Sequence, residues 1–189
     1  RKYAGGSVPV FMSFTSDPYQ EREERDGLTR AALKVLQRHR VPVIILSKGG
    51  KRCLRDLALF QSFEGRLKYG ASLTGLSTAF WKRWEPGAAS PVERIEALKQ
   101  MADAGVHTWA SIEPVIDPRE SLNAILASIG WVEEYRLGCV SGMETGTDWE
   151  AFLAEAVGMV RDAGRRLYVK EELRQRAPGV KLTEQESRL

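Results

Sequence analysis

Pro42-Val43-Ile44-Ile45-Leu46-Ser47-Lys48 is the stretch that decides the fold. Four consecutive apolar residues, three of them β-branched, leave no side chain for a solvated face, and this is how a parallel strand covered on both faces reads. The run stops at a hydroxyl and an ammonium. Outward from it, comparable runs recur at residues 8–15, 67–73, 106–112, 135–141 and 166–169, each followed by a segment of helical periodicity. Strands that alternate with helices in this rhythm pair in parallel through right-handed crossovers. The predicted class is α/β, a partial (β/α) TIM-like barrel of about six parallel strands.

The helix signals between the strands are explicit. Ser90, Pro91 and Glu93 supply an N-cap, a first-turn proline and a capping-box acid. Ile95, Leu98, Met101 and Ala102 form the apolar stripe of that helix, and Gly105 stops it. Thr147 and Glu150 predict a second capping box before Phe152, Leu153, Ala156, Val157 and Val160, with Gly164 closing the helix. Residues 28–38, 54–63 and 118–129 complete the helical set. A single barrel domain over 1–176 with a frayed polar tail over 177–189 is the economical division.

Composition bounds the function. The chain has 189 residues, 43% of them hydrophobic and 28% charged, with a net charge of +3. That is enough apolar material for a substantial core and excludes disorder as the main state. No apolar run approaches the roughly 20 residues of a membrane-spanning helix, and Arg1 to Gly6 lack the apolar stretch of a signal peptide, so no membrane partner and a cytoplasmic location are expected. The two cysteines, Cys53 and Cys139, are isolated, so a four-cysteine zinc site or an iron–sulfur cluster held by this polypeptide alone is excluded. Cys139 reads as a buried structural residue.

In a parallel β/α architecture, ligands gather where the strands end and the βα loops converge. Those ends carry Ser13, Thr15, Ser16 and Asp17; Ser47 and Lys48; Ser72 and Thr74; Glu113; Ser141 and Glu144; Lys170 and Glu171. Lysines, carboxylates and hydroxyls in one place suit a small zwitterionic or anionic ligand. Ion pairs that merely close the barrel mouth, such as Lys48 with Glu113, are the alternative. The loop 141–146 is either a phosphate cradle or a plain βα turn. Trp81, Lys82, Arg83 and Trp84 interleave aromatics with bases as nucleic-acid surfaces do, although helical spacing predicts that Phe80 and Trp84 pack inward. The charge run 21–26 reads as a solvated, self-paired surface.

Read in order, certain strings resemble a known family. They are Ser13-Phe14-Thr15-Ser16-Asp17-Pro18-Tyr19-Gln20, Leu46-Ser47-Lys48, Ala71-Ser72-Leu73-Thr74, Glu85-Pro86-Gly87-Ala88-Ala89-Ser90-Pro91 with its helix, and Ile112-Glu113-Pro114-Val115-Ile116. Together, over about residues 8–169, they resemble the radical S-adenosylmethionine (SAM) superfamily, in particular the group related to spore photoproduct lyase and described as DNA repair photolyase-like. The resemblance implies a partial (β/α)6 barrel and a 4Fe-4S cluster on a Cys-x3-Cys-x2-Cys loop after the first strand. It also implies SAM cleaved to a 5′-deoxyadenosyl radical, and a nucleic-acid substrate as partner. Carried over by position, Ser16 and Lys48 are SAM contacts, Asp17 assists, Ser72 reaches the ribose or carboxylate, and Glu113 belongs to the same cofactor-binding set. Backbone around 112–114 and 137–140 would flank the adenine.

This sequence departs from the family at two points. No Cys-x3-Cys-x2-Cys occurs in it, so the expectation is a chain that starts at the family's second strand, lacks the first βα unit and is inactive alone. An unpaired edge at 8–15 would then favour dimerisation or aggregation. Phe14 stands where spore photoproduct lyase carries its hydrogen-donating cysteine, so catalytic residues are not assigned. Two other readings stand beside the resemblance: a non-catalytic barrel that binds a small molecule or nucleic acid, and a Schiff-base enzyme using Lys48 or Lys170.

Overall fold

The computed structural model describes residues 5–12, 15–140, 142 and 146–188. Six strands lie in the chain: β1 (Val10–Met12), β2 (Val43–Ser47), β3 (Leu67–Ser72), β4 (His107–Val115), β5 (Glu134–Cys139) and β6 (Arg166–Val169). Sheet order follows chain order, β1-β2-β3-β4-β5-β6. The expected α/β class with six parallel strands is the class found. The decisive run forms β2, with Val43, Ile45 and Ser47 buried and Ile44 and Leu46 half-buried. The first strand begins at Val10 and not at the expected Val8, and Ser13 and Phe14 lie outside the described residues.

The described residues group into two compact units, where the sequence suggested one barrel over 1–176. The first comprises 1–71 and 87–108. In it, β2 pairs in parallel with β1 and β3, with Val10 opposite Val43 and Ile45 opposite Tyr69. Helix α1 (Glu23–Asp26) leads into α2 (Leu28–Arg38), a boundary read correctly from the sequence. The expected helix 54–63 is instead a 3-10 segment, Gly50–Asp56, followed by α3 (Leu57–Gln61), because the chain must turn sharply after β2. Leu33, Ile45, Phe60, Phe63 and Tyr69 fill the core, Phe60 stacking on Tyr69 at 5.8 Å.

The second unit comprises 72–86 and 109–189. Here α4 (Thr78–Trp84) opens with a Ser77 cap; α5 (Pro91–Asp103) belongs to the first unit and carries the predicted capping box, with Ser90 Oγ accepting from the Glu93 amide and Glu93 accepting from the Ser90 amide. Helix α6 (Pro118–Ser128) follows β4, and α7 (Trp149–Asp162) precedes β6. The N-cap of α7 is Asp148, which accepts from the Ala151 amide, rather than Thr147; Glu150 instead accepts from the Gly179 amide. Strand β5 pairs in parallel with β4 and β6 over a core of Ile112, Ile125, Leu137, Leu153, Val157 and Val169.

Two further expectations change. Residues 177–188 are held rather than frayed: α8 (Glu171–Arg176) and α9 (Glu184–Ser187) follow β6, and Glu186 of α9 accepts two hydrogen bonds from Arg161 of α7, at 2.8 and 2.6 Å. Phe80 packs inward as expected, but Trp84 is exposed, with the Arg83 guanidinium 5.0 Å from its ring centroid. Among the described residues no helix is long and apolar enough to cross a membrane.

Candidate functional site

In the first unit the chemistry collects where β2 ends. Asp17 reaches across from the loop after β1 and its carboxylate is wholly occupied: Oδ1 accepts from the Tyr19 amide at 2.7 Å and the Ser47 hydroxyl at 2.8 Å, and Oδ2 accepts from the Lys48 amide at 2.5 Å. The Lys48 carbonyl in turn accepts from the Ala89 amide at 2.9 Å. Lys48 is therefore pinned by both of its backbone polar groups at the strand end. Gly49 completes the turn, since a Cβ there would lie 2.6 Å from Tyr19 Cβ and 2.8 Å from the Tyr19 carbonyl. Ser16 and Asp17 also line a shallow cleft of ≈ 270 Å³ with Pro18, Gln20, Arg22 and Thr29.

Beneath this turn runs a polar network the sequence did not announce. Asp56 is fully buried, accepts from the Tyr19 hydroxyl at 2.9 Å, and is paired with Arg30. Glu23 is buried too: it accepts from the Thr29 amide at 2.9 Å and from Arg55 at 2.8 Å. This corrects the reading of 21–26 as a solvated, self-paired run at Glu23; Glu21, Arg22, Glu24 and Arg25 are exposed, and Arg22 and Arg25 pair with Asp26. Burial and the Asp56 carboxylate push the Tyr19 phenol well above the usual range, so it stays a neutral donor. Tyr19 joins this network to the Asp17 loop, its amide donating to Asp17 and its hydroxyl to Asp56.

In the second unit Glu113, at the end of β4, lies on Lys170, whose Nζ donates at 2.7 Å to Oε1 and sits 2.5 Å from Oε2. The ion pair predicted for Lys48 with Glu113 is thus made by Lys170. The Lys170 amide donates to the Leu137 carbonyl at 2.9 Å, fixing this residue beside β5. The pair borders a cleft of ≈ 520 Å³ with Tyr168, Glu171, Glu172 and Gln175. Ser72, at the end of β3, is buried. Cys139, at the end of β5, is buried as expected, and burial followed by the nearby Glu172 raises its thiol pKa. Ser141 and Glu144 lie outside the described residues, as does most of the loop 141–146.

The residues present do not fit the 4Fe-4S cluster that the resemblance implies. Such a cluster needs three thiolates on one loop. Here Cys53 is buried between Tyr69 and Ser47, accepting from the Tyr69 hydroxyl at 3.0 Å, and burial pushes its thiol up to about 12. Among the described residues no group of three or more His, Cys, Asp and Glu is placed to hold a metal ion.

No protein-family model matches the chain. MJ0683 of Methanocaldococcus jannaschii, a protein itself described as uncharacterized, is 34% identical over 107 residues, which are 57% of this chain and 40% of that protein. Two crystal structures of SuiB from Streptococcus suis share the fold at 12% identity. The one bound to S-adenosylmethionine covers 89% of this chain and 41% of SuiB with a TM-score of 0.63. The other covers 87% and 40% with a TM-score of 0.64. The chain thus spans about two fifths of the length of the proteins it matches. The likeness to SuiB supports the parallel β/α fold read from the sequence, and at this identity it shows the fold alone.

Proposed function

We propose that this chain is the SAM-binding portion of a radical SAM enzyme of the spore photoproduct lyase-related group. The observation that carries the proposal is the fold shared with SAM-bound SuiB over 89% of the chain. The resemblance over residues 8–169 reaches the same cofactor from the residues themselves. In this reading Lys48 offers its ammonium to the SAM carboxylate, Ser16 offers its hydroxyl, and Asp17 acts by holding the Lys48 backbone in place. The cluster thiolates are not among these 189 residues, so the chain by itself binds SAM without cleaving it.

Calorimetric titration of the chain with SAM tests this. Without an iron contact, binding should be saturable but weaker than about 1 μM, and Lys48→Ala should weaken it by about tenfold, the loss of one charge-assisted contact. A variant that binds as well as the parent, or a parent that shows no saturable binding, would remove the proposal.

A second reading has one observation in its favour. Trp84 is exposed with Arg83 stacked on it and Lys82 exposed alongside, the pairing of aromatic face and cation that single-stranded nucleic acid uses. A nucleic-acid substrate or partner is proposed to meet the chain there.

A further inference from the structure

The Glu113–Lys170 cleft of the second unit has features that the function above does not account for. Glu113 fits a space that β5 leaves open. The Cβ that any other residue would place at Gly138 would lie 2.7 Å from the Glu113 carboxyl carbon and Oε1, so the acid occupies the space that this glycine of β5 leaves open. Lys170 is held only by charge, on a flexible four-carbon stem at the last turn before α8. Their side chains are 30% and 46% exposed, and a pair so well hydrated contributes little net energy. Opening it therefore costs little, and Lys170, the longer and more exposed of the two side chains, is the partner with room to swing.

The rest of the lining sets the preference. Glu171 and Glu172 add two carboxylates, while Tyr168 and Gln175 are neutral. Glu172 is paired with Arg176 at 3.4 Å, so Glu113 and Glu171 against Lys170 leave the cleft with an excess of one carboxylate, which favours a cation. The cleft, ≈ 520 Å³, lies in the range of small-molecule sites.

We infer that this cleft is a binding site for an α-amino-acid zwitterion, whose ammonium replaces Lys170 on Glu113 and whose carboxylate is taken by the displaced Lys170. The exchange conserves every charge pair: one internal ion pair opens and two intermolecular ones form. The zwitterion belongs either to a separate amino-acid substrate or to the methionyl end of SAM, and in the second case Lys170 replaces Lys48 as the partner of the SAM carboxylate. The inference does not depend on the Lys48 reading.

The test uses the whole chain and four probes in calorimetric titration: L-methionine, 3-(methylthio)propylamine, which lacks the carboxylate, 3-(methylthio)propanoate, which lacks the ammonium, and SAM. Methionine should bind saturably in the millimolar range and each truncated probe at least tenfold more weakly. Glu113→Gln should erase the advantage of methionine over the propanoate, and Lys170→Met its advantage over the amine. Competition between SAM and methionine would assign the site to the methionyl end of SAM; simultaneous binding would assign it to a separate substrate. Both variants sit in a solvated cleft, and circular dichroism checks that they fold. Equal binding of methionine and its truncated analogues, no saturable methionine binding, or unchanged binding in both Glu113→Gln and Lys170→Met overturns the inference, whatever SAM does at Lys48.

Discussion

Replacing Asp56 by alanine is expected to destabilise the protein by about 3 kcal/mol, the cost of removing one partner from a buried pair. At this length that lowers Tm by about 6–12 °C. The magnitude follows from what is left behind. Asp56 is fully buried and receives the Tyr19 hydroxyl and the Arg30 guanidinium; without it the phenol loses its acceptor and Arg30 keeps the Arg55 carbonyl but loses its counter-charge. Arg30 is less than half exposed and recovers part of its hydration, which keeps the cost at the lower end for buried pairs. Tyr19→Phe is the internal control, because it removes one neutral donor while the charge pair stays, and should cost about 1 kcal/mol. Asp56→Asn should resemble the alanine variant, since the missing charge dominates. Urea melts of the three variants decide the matter. A loss below about 1 kcal/mol for Asp56→Ala would show that water satisfies these groups and that the network does not stiffen the Asp17 loop.

The same network connects stability to the proposed ligand site. Tyr19 is two residues from Asp17, and its amide donates to the Asp17 carboxylate while its hydroxyl donates to Asp56. One residue thus ties the buried acid to the acid that pins Lys48. Loosening Asp56 should therefore soften the strand end that presents Lys48 before it affects the rest of the first unit, as local opening draws on the weakest cooperative element.

What the sequence disclosed and what it hid divides along sequence distance. The β2 run, the Ser90–Glu93 capping box and the 28–38 helix are local patterns, complete within one window, and they were legible. The strand-end positions were legible as a set because β/α topology alone places them. Their partners were not. Glu113 and Lys170 are 57 residues apart, so pairing Glu113 with Lys48 was as reasonable from the sequence as pairing it with Lys170. Asp56 sits in Arg52-Cys53-Leu54-Arg55-Asp56, which reads as surface charge, and only the fold brings Tyr19 and Arg30 onto it. Glu23 was lost in a charge run for the same reason. One signal was present and unused: a lone glycine inside a strand, as at Gly138, marks close approach by another group, and here that group is Glu113.

Acidification is expected to release the C-terminal segment before it unfolds the rest of the second unit. The Arg161 guanidinium, donating to both oxygens of Glu186, together with the Thr183 amide and hydroxyl, holds the Glu186 carboxyl at about 2, below its ordinary 4.5. A pKa depressed in the folded state means that the unfolded chain takes up the proton more readily. The stabilisation is then complete above about pH 4.5 and disappears as pH falls toward 2. The full shift corresponds to about 3 kcal/mol, and partial exposure of Arg161 reduces this to about 2. Glu186→Gln separates charge from cap, since its amide oxygen still accepts from the Thr183 amide. At pH 7 this variant should be less stable than the parent by about that amount, and at pH 2 the two should converge. Hydrogen exchange should show the amides of α9 losing protection across the same interval while those of β5 and β6 keep theirs. A stability difference between parent and Glu186→Gln that stays constant from pH 7 to pH 2 would mean that the Arg161 pair does not anchor α9 and that the capping hydrogen bonds hold the segment without it.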